Sequence, residues 1–303
     1  MPSFLQELFR KRNISRSIDA GSDIATIPIE SQQKDSFSTS VEKYNPPQII
    51  FASAQSVGKQ REHNEDTLFE MSTCISGEEI QYNVGIFIIA DGMGGHQYGE
   101  IASAAAIKKF VEVVVKKSIL PGILGAKKLT SQTVQGIIGI ALEEAHKVVQ
   151  LEAPGGGTTF TGAVILNQEV ILAHAGDSRA YMYLPDGSLE VLTKDHSLVG
   201  RLVELGQITE KEASTHPQRN ILLRAIGQPE PFKPDISTID FHKEGILIIC
   251  SDGLWGVVSK AEIIKVLQNS GDTLQDDCRK LVDLANAKGG PDNISVIMAK
   301  CLL

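Results

Sequence analysis

Four aspartates in this sequence stand where apolar runs stop. Val84–Ala90 breaks into Asp91-Gly92-Met93-Gly94-Gly95-His96, Val170–Ala175 into Gly176-Asp177-Ser178-Arg179, and Gly245–Cys250 into Ser251-Asp252-Gly253. Gly289-Gly290-Pro291-Asp292-Asn293 directly precedes the run Ile294–Cys301. Glycines beside or near each aspartate leave room for main chain to approach a ligand. One such aspartate is an ordinary turn residue, since Asp before Gly readily bonds its own backbone. Four of them at the ends of buried strands, with Glu65-Asp66 near the first, point instead to carboxylates that converge. Converging carboxylates repel unless they are protonated or neutralised, and a cation is the usual neutraliser. All-oxygen ligands select hard ions, Mg²⁺ or Mn²⁺, whereas zinc calls for His or Cys.

The elements that must position these groups are legible as β-branched runs bounded by Gly and Asp. Strands are expected over Ile49–Ala54, Val84–Ala90, Thr159–Leu166, Val170–Ala175, Arg179–Leu184, Leu189–Thr193, Gly245–Cys250 and Ile294–Cys301, with Pro185-Asp186-Gly187 as a hairpin turn. Helical patterns cover Glu100–Lys117, Ser131–Gln150 and Thr273–Ala287. Capping boxes at Ser259-Lys-Ala-Glu262 and Thr209-Glu-Lys-Glu212 open two more. Strands come in hairpins and helices in pairs, unlike the alternation of a doubly wound fold. The expected class is α+β, helices packed on antiparallel sheets.

The 303 residues carry 29 Lys+Arg against 37 Asp+Glu, a net charge of −8, and 42% are hydrophobic. That supports a real core and argues against nucleic acid as a partner, because no basic stripe offsets the acidity. The four cysteines, Cys74, Cys250, Cys278 and Cys301, form no C-x-x-C pair and fit a reducing, cytoplasmic setting. No run is long and apolar enough to span a membrane, and Glu7, Arg10, Lys11 and Arg12 break up any signal-peptide core. Residues 1–47 are expected to be a flexible N-terminal tail, with one domain over 48–303. There is no phosphate loop, H-E-x-x-H, G-x-S-x-G or EF-hand loop.

The motifs do occur in a recognisable order. Arg61-x-x-Asn64-Glu65-Asp66, Asp91-Gly92-Met93-Gly94-Gly95-His96, Gly157-Thr158-Thr159, Gly176-Asp177-Ser178-Arg179, Asp195-His196-Ser197, His216-Pro217, Arg224-Ala225-Ile226-Gly227, Ser251-Asp252-Gly253-Leu254-Trp255 and Asp292-Asn293 follow one another from about Ala52 to Ala299. In this the chain resembles the metal-dependent Ser/Thr protein phosphatases of the PPM, or phosphatase 2C-like, family, in its bacterial form. The resemblance implies a phosphatase 2C-like sandwich of two antiparallel β-sheets flanked by pairs of α-helices, with two metals at one end. It implies that Asp91 bridges the two ions, that the Gly92 carbonyl joins one, and that Asp252 and Asp292 hold the other. Glu65 and Asp66 would hold metal-bound waters, Arg61 would grip the substrate phosphate, and Asp177 with Asp252 would take a third, weaker ion. Leu198–Gln218 corresponds to the family's variable flap. Met93 stands where eukaryotic relatives place a histidine thought to act as general acid, which leaves the proton donor unassigned.

On this resemblance the expected reaction is hydrolysis of phosphoserine and phosphothreonine on proteins by a metal-activated water. Phosphorylated proteins would be its substrates and a Ser/Thr kinase its counterpart in signalling. A monomer is expected. Two other readings differ in class. A pseudophosphatase serving as a regulatory binding module would have lost a metal aspartate, and none is missing. A metal-dependent nuclease would need positive charge that the chain lacks.

Overall fold

The computed structural model describes residues 48–76, 81–94, 97–125, 128–229, 232–269 and 273–302, so the tail expected over 1–47 and His96 lie outside the described residues. In chain order the elements are β1 (Gln48–Ser56), β2 (Asp66–Ser76), β3 (Gln81–Met93) and α1 (Gln97–Val114), which runs through a π-helical turn at Val115–Ile119 into α2 (Leu120–Ile123). Then come α3 (Ser131–Glu152), β4 (Gly157–Thr158), β5 (Phe160–Leu166), β6 (Glu169–Ala175), β7 (Arg179–Tyr183) and β8 (Leu189–Val191). After α4 (Leu198–Glu204) and α5 (Glu210–Ser214), β9 (Asp235–Asp240) and β10 (Ile246–Cys250) precede α6 (Asp252–Trp255), α7 (Lys260–Gln268), α8 (Leu274–Ala287) and β11 (Ile294–Leu302).

The strands form two sheets, one ordered β1-β11-β10-β7-β8 and the other β2-β3-β5-β6-β9, with β4 paired to the end of β3. Every pairing is antiparallel. The period-2 alternation of each central strand decides what it touches. On β3, Phe87 and Ile89 meet Ile165, Leu172, Ile249 and Ile297 between the sheets. Their neighbours Ile86, Ile88 and Ala90 face the other way, onto Phe110, Ile138 and Leu142 of α1 and α3. On β11, Ile297 and Ala299 join the inter-sheet core, while Val296 and Met298 pack on Leu281 and Ala285 of α8. Helix pair, sheet, sheet and helix pair are thus four layers, with the central strands buried on both faces. This is the architecture expected from the sequence.

The capping boxes at Thr209 and Ser259 form as expected, with Glu212 and Glu262 closing them. At the hairpin turn, Gly187 has φ 86° and Asp186 Oδ1 accepts from the Ser188 N–H at 2.9 Å. β2, β9, α4 and α6 were not among the expected elements. β2 and β9 are sheet edges with no strand neighbour on one side, and their apolar residues are only partly buried, so alternation is weak. β3 also runs past its expected end at Ala90, because Gly92 and Met93 pair with Thr158 and Gly157.

Candidate metal centre

The site lies where strands of both sheets end. Asp66 opens β2 and is paired in register with Asp91 on β3. Asp177 sits in the turn between β6 and β7, Asp252 opens α6 directly after β10, and Asp292 stands two residues before β11. The antiparallel order β11-β10-β7 brings the last three to the same edge. The five aspartates that the sequence singles out therefore come together.

Hydrogen bonds fix the main chain around them. The Asp91 carbonyl accepts from Thr159 N–H and Thr158 Oγ1, both at 2.9 Å, and the Asp91 N–H donates to Thr159 Oγ1 at 2.9 Å. Gly92 donates its N–H to the Glu65 carbonyl at 3.2 Å. A Cβ on Gly92 would lie 2.2 Å from the Gly99 carbonyl oxygen, so only glycine fits this crossing of loop and helix. Asn293 ties the loops to one another. Its Oδ1 accepts from the Glu65 N–H at 2.8 Å, and its Nδ2 donates to the carbonyls of Val57 and His63 at 2.9 and 2.8 Å.

Asp66 is 6% exposed, and its Oδ2 accepts from Ser251 Oγ at 2.8 Å and Ser295 Oγ at 2.6 Å. Arg61 is on the solvent side, its Nη2 2.7 Å from Asp292 Oδ2. The guanidinium therefore neutralises a carboxylate here rather than standing free. Glu65 has its carboxylate against the first turn of α1, where a Cβ on Gly99 would come within 1.9 Å of Oε2. Sequence reasoning missed Ser251, Ser295 and Gly99, and it assigned no role to Asn293.

The electrostatics are those of crowded carboxylates short of countercharge. Burial pushes the Asp66 carboxyl up to about 7; the Ser295 and Ser251 hydroxyls oppose this, and the charges of Asp252 and Asp292 add to it. Asp252 rises to about 6 through burial and Asp292, eased by hydrogen bonding from Asp91 and by Arg61. Asp91 and Asp177 lie well above the carboxylate range, chiefly through burial, then through Asp66 and Asp252 for the first and Asp252 for the second.

Among the described residues no three His, Cys, Asp or Glu side chains gather tightly enough to wrap one ion. Asp66 Oδ1 and Asp252 Oδ1 are sealed from solvent and receive no N–H or hydroxyl donor. Unsatisfied anionic oxygens of this kind fit hard cations and their waters.

These shifts predict a pH dependence. In chelator-treated protein, the folded state keeps protons on Asp66 and Asp252 that the unfolded chain releases near 3.8. The native state then binds more protons than the unfolded one between pH about 4 and about 7, so this contribution to stability falls as pH rises through that window. The difference in urea midpoint between the wild type and Asp66→Asn should shift in favour of the variant from pH 4 to 7. A difference that stays flat across the window contradicts it.

Residues 52–294 match the family described as Protein phosphatase 2C. The serine/threonine phosphatase stp of Listeria monocytogenes serovar 1/2a is 34% identical over 251 residues, covering 80% of this chain and 92% of that protein. The solved S. agalactiae serine/threonine phosphatase superposes with a TM-score of 0.70 at 32% identity, covering 83% of this chain and 99% of that one. A PstP catalytic domain solved in complex with 2 manganese ions gives a TM-score of 0.66 at 27% identity, over 85% of this chain and 100% of that one. With the family match spanning the sandwich and all the strand-end aspartates, the chain belongs to the protein phosphatase 2C family of metal-dependent protein serine/threonine phosphatases.

Proposed function

We propose that Asp91, the Gly92 carbonyl, Asp252 and Asp292 hold two divalent cations, Mg²⁺ or Mn²⁺, with Asp91 shared between them and Asp177 joining Asp252 at a third, weaker site. The reaction is hydrolysis of phosphoserine and phosphothreonine esters on proteins. The observation that carries this reading is the convergence of five aspartates against little positive charge among the described residues, Arg61 paired to Asp292 and Arg179 near Asp177. When bound, the ions supply an acidified water as nucleophile and positive charge for the phosphoryl oxygens.

The chain's own residues prepare the site for that chemistry. Ser251 and Ser295 pin one oxygen of Asp66 and leave Oδ1 to orient a water. Glu65, held against α1 by the space that Gly99 leaves, does the same. Arg61, half-exposed, is free to exchange Asp292 for the substrate phosphate once another positive charge takes over that carboxylate. No thiol is placed to attack phosphorus: Cys250, Cys278 and Cys301 are buried in the apolar cores, and Cys74 is exposed near the end of β2 opposite Asp66. All four thiols are free, and no described helix is long and apolar enough to cross a membrane. We place the enzyme in the cytoplasm as a monomer, opposing a Ser/Thr kinase in signalling. Residues 198–218 serve as a flap that selects the phosphoprotein.

The direct test is hydrolysis of a phosphothreonine peptide and a small aryl phosphate with and without Mn²⁺. Activity that appears with Mn²⁺, disappears with chelator and ignores thiol alkylation supports the reading; metal-independent turnover overturns it. Arg61→Ala should cost about 1.5–3 kcal/mol, roughly ten- to a hundredfold in kcat/KM. Its apparent Mn²⁺ affinity should hold or tighten, because a competitor for Asp292 is gone; an unchanged kcat/KM would make Arg61 a mere surface partner. A protein beginning at Gln48 should hydrolyse the aryl phosphate at the full-length rate. A dead truncation would give the first 47 residues a part in the domain itself.

A further inference from the structure

Asp177 and Asp252 lie on different strands' ends, and like charges so placed push apart unless something fixed opposes them. The fixed element is Trp255, the single tryptophan of the chain. It closes α6, the one-turn helix that Asp252 opens, so donor and carboxylate share one rigid turn. Its indole N–H donates to the Asp177 carbonyl at 2.9 Å. Two residues further on, the Arg179 guanidinium lies 3.6 Å over the centre of the Trp255 ring. Arg179 is itself forked onto Asp195, Nε to Oδ1 at 2.9 Å and Nη2 to Oδ2 at 2.7 Å, which locks the plane stacked on the indole.

The turn is also held from its other side. Gly176 donates its N–H to His196 Nδ1 at 3.3 Å, and its carbonyl accepts the His196 N–H at 2.7 Å. Gly176 has φ +116°, and a Cβ there would come within 2.6 Å of Thr159, so the turn has little freedom to move. Trp255 is the one contact in this set that runs straight from the Asp177 turn to the helix bearing Asp252.

We propose that Trp255 is a positioning residue: it sets the separation of the Asp177 and Asp252 carboxylates, and its indole therefore senses a cation bound between them. The proposal rests on the reading of Asp177 as a ligand of the weaker ion. Replacing the indole by phenylalanine keeps a smaller aromatic surface under Arg179 and removes the donor. That loosens the Asp177 turn without touching Asp91 or Asp292.

The experiment is a Mn²⁺ titration of the full chain, followed by calorimetry for the wild type, Trp255→Phe and Asp177→Ala, and by tryptophan fluorescence for the wild type and Asp177→Ala, because Trp255→Phe has no tryptophan left. The wild type should show tight binding followed by a weak step, with a separate fluorescence change on the weak step. Asp177→Ala should lose the weak step and that fluorescence change. Trp255→Phe should keep the tight ions and weaken the last one roughly three- to tenfold, what one neutral hydrogen bond is worth. Turnover of a phosphopeptide should need correspondingly more Mn²⁺. If Asp177→Ala loses the weak step but Trp255→Phe keeps it at wild-type strength, the positioning role falls and the ligand reading stands. If Asp177→Ala binds Mn²⁺ as the wild type does, the ligand reading falls and the proposal with it. Should Trp255→Phe fail to fold, 3-benzothienylalanine at position 255, which swaps only the indole N–H for sulfur, gives the same decision.

Discussion

Asp91→Asn and Asp252→Asn should each lower kcat/KM by more than about a thousandfold, roughly 4 kcal/mol of transition-state stabilisation. An amide is the same shape as the carboxylate it replaces but carries no charge, so each change removes one of the few carboxylate charges that attract the cations. The fold should survive. The main-chain bonds from Thr158 and Thr159 to Asp91 do not involve its side chain. Burial and neighbouring carboxylates already hold the Asp91 carboxyl well above its ordinary range. Removing that ionisable group should raise the melting temperature of chelator-treated protein at pH 7 even as activity vanishes. Near-wild-type turnover at limiting Mn²⁺ in either variant would remove these residues from the metal site.

Gly253→Ala should be almost as damaging by a different route. A Cβ at this position would lie 2.0 Å from the carbonyl oxygen of Asn293 and 2.9 Å from its carbonyl carbon, both main-chain atoms that cannot swing aside. The loops bearing Asp252 and Asp292 must then part, and a displacement near 1 Å at reacting groups costs on the order of a hundredfold. The strain should also lower folding stability by about 1–3 kcal/mol. Gly136 is the control: it lies within α3 with nothing inside 4 Å of an added Cβ. Gly136→Ala should therefore stabilise by up to about 1 kcal/mol with activity intact. Equal behaviour of the two variants, in denaturation midpoint and in kcat/KM, would mean the Gly253 contact is not what holds the loops together.

The aspartates are legible because each interrupts an apolar run, and a run's end is a fixed place in a sheet. Ile86 to Ala90 and Val296 to Ala299 alternate between two cores, so the strands that carry the site declare themselves. Ser251 and Ser295 do not. Nothing local marks a serine as a donor to Asp66, which is 185 and 229 residues away along the chain; only the pairing of β10 with β11 brings both hydroxyls to it. Gly99 is hidden for a related reason, since its value lies in the space it leaves for Glu65. β9 escapes notice because, at the edge of its sheet, it shows only Ile236 and Ile239 partly buried between polar neighbours. The pairing of Arg61 with Asp292 depends on local charge balance and has no sequence signature.

The pairing of β1 with β11 has a consequence for timing during synthesis. β1 is an early strand, yet the partner it needs, from Ile294 to Leu302, is made some 240 residues later. Asp66 likewise waits for Ser295. While the chain is still on the ribosome, α1, α3 and β2 to β6 can assemble from near neighbours, but the other sheet lacks the strand that sits between β1 and β10. Asp292 is also missing until that moment. With Asp292 as a ligand of the proposed ions, the domain gains activity only after the Asp292 loop and β11 have been made, and a nascent chain short of them leaves the phosphoproteins around it untouched.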